Sequence, residues 1–195
     1  AAAAAAAAPA LAEGRVVVGA DSAAPWQAGP AGVRRFSTPG LVDLQVNGFA
    51  GVELAGSLKN VYALGCGAVE GAGLGASARA ALLARAFAEL TRLVVAMGGS
   101  ASTLTGLAGL GDLTLSCMSA QSRNYRSGIA LGRGEPIEGI GLAEGLSTAP
   151  VAQRLARHVG IDAPLIDAIN LLLGGTTTID TIVAGLMARP LKREV

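Results

Sequence analysis

Aromatic residues make up only 3% of this 195-residue chain, and charged residues 15% where about 25% is usual. A core with so few rings has to be assembled from Ala, Leu, Val and Ile, and 28 glycines let backbones approach one another closely. That composition favours packed small-residue helices. A surface so sparse in charge is expected to be covered in part by another domain or subunit. Cysteine is nearly absent: Cys66 and Cys117 lie in apolar surroundings and His158 is the sole histidine. Neither a disulfide framework nor a Cys/His zinc site is therefore expected, no metal is assigned, and a reduced, cytoplasmic setting follows. The charge balance is equally thin. With 15 basic and 14 acidic residues the net charge is +1, too little for the footprint of a nucleic-acid binder. The uncharged stretch Leu93 to Gly111 holds five glycines with Ser100, Ser102, Thr103 and Thr105, which makes a poor membrane span. The Ala1 to Ala8 run has no initiator Met and no basic n-region, so it is not read as a signal peptide but as a low-complexity leader, a fragment edge or placeholder residues, and no function is assigned to it.

The length leaves room for one domain plus a fragment, and the composition changes near residue 50. Residues 9–50 carry Pro9, Pro25, Pro30 and Pro39, the β-branched run Val16-Val17-Val18, and the alternating segment Leu41-Val42-Asp43-Leu44-Gln45-Val46 ahead of Asn47-Gly48. Period two between turn residues reads as short strands. From Val52 onward the spacing is helical. The run Ala76 to Met97 places Ala78, Leu82, Phe87, Leu90, Val94 and Met97 on one stripe, with Arg85 and Glu89 paired i,i+4 on the other side. Val52 to Gly71 forms a glycine-studded helix that its neighbours must stabilise. Further helices are expected at 112–118, 122–133, 149–158, 164–173 and 178–188. Pro164 suits a first turn, Thr178 an N-cap and Pro190 a stop. The fold class is thus mainly α: residues 51–195 form a multi-helix bundle, preceded over 1–50 by a leader and an irregular, strand-like segment.

Lysine is rare, with only Lys59 and Lys192 against thirteen arginines. In Ala55-Gly56-Ser57-Leu58-Lys59-Asn60, Lys59 lacks a carboxylate at i+3 or i+4. It reads either as a snorkelling surface lysine or as a partly desolvated ammonium that exchanges a proton near neutral pH and stabilises an oxyanion. Scarcity favours the second. Gly106-Leu107-Ala108-Gly109-Leu110-Gly111-Asp112 is a glycine-rich approach to an acid that opens a helix; Asp112 reads as an N-cap or as the partner of an ammonium such as Lys59. Ser122-Arg123-Asn124 offers a hydroxyl, a guanidinium fork and an amide at a helix start, suited to phosphate or equally to a Ser cap beside a solvated Arg. Gly71-Ala72-Gly73-Leu74-Gly75 follows a helix, not a strand, and reads as a turn rather than a nucleotide loop. His158 near a helix end reads as a dipole partner.

Taken in order, five segments carry a resemblance. They are Gly51-Val52-Glu53-Leu54-Ala55-Gly56-Ser57-Leu58-Lys59-Asn60, Gly106 to Leu113, Ser122-Arg123-Asn124, Ala143-Glu144-Gly145 and Arg189-Pro190-Leu191-Lys192. Together they resemble the C-terminal helical domain of bacterial NAD(P)-dependent sn-glycerol-3-phosphate dehydrogenase, with a fold like the C-terminal domain of 6-phosphogluconate dehydrogenase. The resemblance implies that Lys59 is the catalytic proton donor and acceptor, with Asp112 grouped beside it. It implies that Asn60, Ser122, Arg123 and Asn124 hold the substrate, glycerol 3-phosphate or dihydroxyacetone phosphate, and that Arg123, Leu142 and Glu144 border the NAD or NADP cofactor. Family members begin with a Rossmann domain that about 50 residues cannot form, so this chain alone is expected to be inactive, and a homodimer is a possible partner state. Residues 37–52 resemble instead the first barrel strand of N-acetylglucosamine-6-phosphate deacetylase, without its metal-binding histidines. A non-catalytic association module is the alternative of a different class; a fragment of that deacetylase is the third.

Overall fold

The computed structural model describes residues 17–19, 26–28, 34–37, 50–137 and 140–187, and side chains over 54–137 and 140–186. Among the described residues three short strands precede the helices: β1 (Val17–Gly19), β2 (Trp26–Ala28) and β3 (Arg34–Ser37). They form one sheet in the order β1-β3-β2, β1 parallel to β3 with Val17 opposite Arg35, and β2 antiparallel with Trp26 opposite Phe36. The alternating segment from Leu41, most of the deacetylase-like stretch, and Pro190 with Lys192 lie outside the described residues.

Among the described residues eight α-helices follow: α1 (Ala50–Gly71), α2 (Gly75–Ala96), α3 (Ala101–Leu104), α4 (Asp112–Met118), α5 (Arg123–Arg133), α6 (Glu144–His158), α7 (Pro164–Leu173) and α8 (Ile179–Met187). Among the described residues no helix is long and apolar enough to cross a membrane. The expected helices at 112–118 and 164–173 match α4 and α7. Ser122 and Thr178 cap α5 and α8 by accepting from the N–H groups of Tyr125 and Thr181.

Helix α1 is buried nearly all round, with Leu58, Val61, Tyr62, Ala63, Leu64, Cys66 and Ala68 at or near zero exposure, the pattern of a helix at the centre of a bundle. Its small residues decide what lies closest. A Cβ on Gly67 would overlap the carbonyl oxygen of Tyr125, one on Gly71 that of Ile129, one on Gly128 that of Leu64, and one on Gly132 that of Ala68. These pairings advance together along both helices, so α1 and α5 run in the same direction with backbones in direct contact. The register that results sets the start of α5 beside Lys59 and Asn60.

Two expectations need correction. Glu89 does not pair with Arg85 on a solvated face. It is 1% exposed, accepts the Tyr62 hydroxyl at 3.3 Å, and receives the N–H groups of Leu165 at 2.9 Å and Ile166 at 3.1 Å. Arg85 reaches instead the carbonyl of Leu186 at 3.3 Å. The first turn of α7 has no side-chain cap of its own, and a carboxylate from α2 supplies the acceptors its orphan N–H groups need. Burial pushes the Glu89 carboxyl up from 4.5 to about 7, against the two backbone N–H donors that favour its charge.

Helix α6 starts at Glu144, five residues before the expected 149, and carries Pro150 inside it. Burial of Gly145, Ala149, Val151 and Ala152 against the bundle outweighs the one ladder bond a proline cannot make.

Candidate functional site

The chain between α3 and α4 takes a single π turn, Leu107–Gly111. Glycine makes it possible: a Cβ on Gly109 would overlap the backbone of Leu104. The turn runs straight into α4, so Asp112 does not cap that helix with its side chain. Its carboxylate instead meets the Lys59 ammonium of α1 across 53 positions of sequence. Both heads are partly open to solvent, with side chains 24% and 37% exposed, so this is a half-buried ion pair at the edge of a cavity.

That cavity is an open pocket of about 280 Å³. Lys59 and Asn60 enter it from α1, Ser122, Arg123 and Asn124 from the start of α5, and Leu142 and Glu144 from the start of α6. Asp112 reaches it through Lys59. All eight residues singled out from the sequence therefore converge, although they span 86 positions of chain from 59 to 144. Leu115, Ser116, Ser119 and Gln121 also line the pocket and were not anticipated. Leu115 and Ser116 lie one helical turn beyond Asp112, a periodicity that points them the same way once α4 is known to start there.

The start of α5 carries the anion-binding potential. Ser122 Oγ accepts the Tyr125 N–H at 3.2 Å, which leaves its hydroxyl hydrogen to donate. The backbone N–H groups of Arg123 and Asn124 lie in the first turn, where no helical carbonyl can reach them. Arg123 is exposed beside them. Of the two readings of this segment, the structure shows the Ser122 cap, and the cap leaves donors over. Behind this turn Arg79 of α2 contacts Glu70 and donates to the Tyr125 hydroxyl at 2.8 Å, tying α5 to α1 and α2. Burial raises the Tyr125 hydroxyl pKa, opposed by Arg79.

A closed ring of hydrogen bonds joins α1, α5 and α6 at the pocket wall. Asn124 Nδ2 donates to Asn60 Oδ1 at 3.0 Å, Asn60 Nδ2 donates to Glu144 Oε2 at 3.2 Å, and the Gly145 N–H donates back to Asn124 Oδ1 at 2.8 Å. A Cβ on Gly145 would overlap the Asn60 carbonyl, so only glycine lets α6 come this close.

The remaining motifs lie away from the pocket. Residues 72–74 make the expected turn between α1 and α2, and His158 closes α6. Cys66 and Cys117 are free and fully buried; the neighbouring Cys66 thiol, and then burial, push the Cys117 thiol up. Among the described residues no three His, Cys, Asp or Glu side chains gather as a metal site.

Comparison with known proteins shows the family of the chain. Residues 49–184 match the family described as the NAD-dependent glycerol-3-phosphate dehydrogenase C-terminus. A glycerol-3-phosphate dehydrogenase (NAD(P)+) of Mesorhizobium japonicum is 52% identical over 160 residues, covering 82% of this chain and 47% of that protein. One from Brucella ovis is 52% identical over 175 residues, covering 90% of this chain and 51% of its own length. The crystal structure of glycerol-3-phosphate dehydrogenase from Coxiella burnetii superposes with a TM-score of 0.69 at 37% identity, over 81% of this chain and 48% of that one. The chain spans about half the length of the curated relatives it matches. It belongs to the family of the NAD-dependent glycerol-3-phosphate dehydrogenase C-terminus.

Proposed function

We propose that residues 51–195 are the substrate-binding half of a dehydrogenase that interconverts dihydroxyacetone phosphate and sn-glycerol 3-phosphate with NAD or NADP. The observation that carries this reading is one pocket holding a lysine–carboxylate pair beside a helix start rich in anion donors. Reducing a ketone at C2 puts a hydride on carbon and a proton on oxygen. A bound nicotinamide supplies the hydride. Lys59 stabilises the developing alkoxide and delivers the proton, and it takes the proton back in the reverse direction. Asp112 holds the ammonium at the pocket edge. Ser122, Arg123 and the first N–H groups of α5 take the phosphate, with Asn60 and Asn124 flanking it.

Arg123, Leu142 and Glu144 suit the cofactor's side of the pocket: Leu142, 74% exposed, offers an apolar face to a flat ring, and Glu144 offers a carboxylate to a hydroxyl. Calorimetry with glycerol 3-phosphate tests the phosphate assignment. We expect binding by the wild-type chain and at least a tenfold loss in Arg123→Ala; equal affinity in the variant sinks it.

A second reading, association, is favoured by the exposed Leu107, Leu115 and Met118, a row of apolar side chains that a further body would cover. A second copy of the chain is one such body. Sedimentation across a concentration series tests it, and a strictly monomeric species counts against self-association.

A further inference from the structure

Arg126 lies just beyond Ser122-Arg123-Asn124, is exposed, and does not line the pocket. Its guanidinium turns back over the chain that leads into α5. Nη1 donates to the carbonyl oxygen of Ala120 at 2.7 Å and to that of Gln121 at 3.3 Å, and the Arg126 N–H donates to the Ser122 carbonyl at 3.1 Å. One residue thus holds three consecutive carbonyls. The turn they belong to is also closed from within: the Ser122 N–H donates to the Ser119 carbonyl at 3.0 Å, and the Gln121 N–H to Ser119 Oγ at 3.2 Å. Ser119, Gln121 and Ser122 all line the pocket, so the turn that Arg126 grips is one of its walls.

An anion site makes demands on such a turn. A planar trans peptide points its C=O and N–H in opposite directions, and a carbonyl aimed at a phosphate repels it. A turn that offers N–H groups and hydroxyls on one side must therefore satisfy its carbonyls on the other. The helix cannot do this alone. The Gln121 carbonyl stands four residues before Tyr125, but the Tyr125 N–H is taken by Ser122 Oγ, so the cap that frees the Ser122 hydroxyl hydrogen also strips Gln121 of its helical donor. Arg126 replaces that donor with a charge-assisted one.

We infer that Arg126 is a positioning residue of the phosphate site: it fixes the turn 119–122 so that Ser122 and the first N–H groups of α5 face the ligand, and it does so without touching the ligand. The two arginines of this segment then have separate tasks. Arg123 brings charge to the phosphate, and Arg126 aims the donors beside it.

This inference rests on the reading of the α5 start as the phosphate site, and its test separates the two. Affinities of the 195-residue chain for inorganic phosphate and glycerol 3-phosphate are measured by calorimetry for wild type, Arg123→Ala, Arg126→Lys and Arg126→Met, and amide hydrogen exchange is followed by NMR in the same proteins. Absence of binding by wild type removes the phosphate site and this proposal with it. Arg123→Ala weakening both ligands while Arg126→Met weakens neither leaves the site standing and overturns the role of Arg126.

Arg126→Met is expected to weaken both ligands about fivefold, the scale of an exposed charge-assisted bond. In the same variant the Ser122 amide, which closes the turn, is expected to exchange about tenfold faster while the Ile129 amide further along α5 stays within about twofold. Arg126→Lys keeps the charge but ends one bond short of Nη1, so it is expected to fall between wild type and Arg126→Met in both readouts. Affinity lost with Ser122 exchange unchanged would make Arg126 a remote charge. Exchange of Ser122 and Ile129 rising together would make it a general support of α5. Either result overturns the proposal.

Discussion

The Lys59 ammonium of α1 rests on the Asp112 carboxylate of α4, 53 positions away, at the edge of the pocket. Neither residue has an ionic partner on its own helix at helical spacing, and the contact exists because a π turn delivers α4 to the side of α1.

If this pair carries the proton, turnover must depend on Lys59 more than binding does. The chain alone is expected to show little NADH oxidation with dihydroxyacetone phosphate, and supplying the half of a full-length relative that it does not match should restore activity. In that reconstituted enzyme Lys59→Met is expected to lower single-turnover hydride transfer by about 10²- to 10⁴-fold. A Lys59→Met enzyme with near wild-type transfer would remove Lys59 from the chemistry.

Glu89 makes stability depend on pH in an unusual direction. Its folded carboxyl titrates at about 7 and its ordinary value is 4.5, so between those limits the folded chain binds more protons than the unfolded one. Its contribution is fully present below 4.5 and is lost as pH rises through 7, a swing of about 3 kcal/mol. Urea denaturation at intervals from pH 5 to 8 should show wild type losing stability relative to Glu89→Gln, which keeps an acceptor for α7 but does not ionise. Parallel curves for the two proteins would show that the carboxyl does not titrate in this range.

The contact between α1 and α5 predicts opposite outcomes for two glycine substitutions. Gly128→Ala puts a methyl into the Leu64 carbonyl and is expected to cost about 3 kcal/mol or more, with loss of glycerol 3-phosphate binding as α5 moves away. Gly56 also lies within α1, yet a Cβ there meets nothing within 4 Å, so Gly56→Ala is expected to stabilise by about 1 kcal/mol through helix propensity. Chemical denaturation of both variants checks the pair, and a tolerated Gly128→Ala would contradict the backbone contact.

The two cysteines should be inert. Both are fully buried, and the raised Cys117 thiol leaves almost no thiolate to react. A thiol-specific disulfide reagent at pH 8 is expected to label neither in the folded chain and both in denaturant. Rapid labelling of the folded chain would show that α1 and α4 separate readily.

Much of the bundle is legible from local pattern. Apolar spacing, Pro164, Ser122 and Thr178 place helices whose ends agree with the structure within a few residues, because caps and first turns act over three or four positions. The start of α6 escapes that reasoning, since what holds Gly145 is Asn124, 21 positions earlier. Glu89 escapes it too. Four positions from Arg85 it looks like half of a surface pair, and nothing nearby in sequence reveals that α7 will bring two unpaired N–H groups to it.

Rare residue types marked the site in advance: a lysine in an arginine-rich chain, an acid after a run of glycines, and a hydroxyl, a guanidinium and an amide in a row. What those side chains are able to do follows from their chemistry and was readable in one dimension. Which of them meet was not, because the meeting depends on four glycines that let α1 and α5 touch in one register, and on a π turn that sets Asp112 against Lys59. Contacts of that kind join residues dozens of positions apart, and only close packing of the helices brings them within a few ångströms.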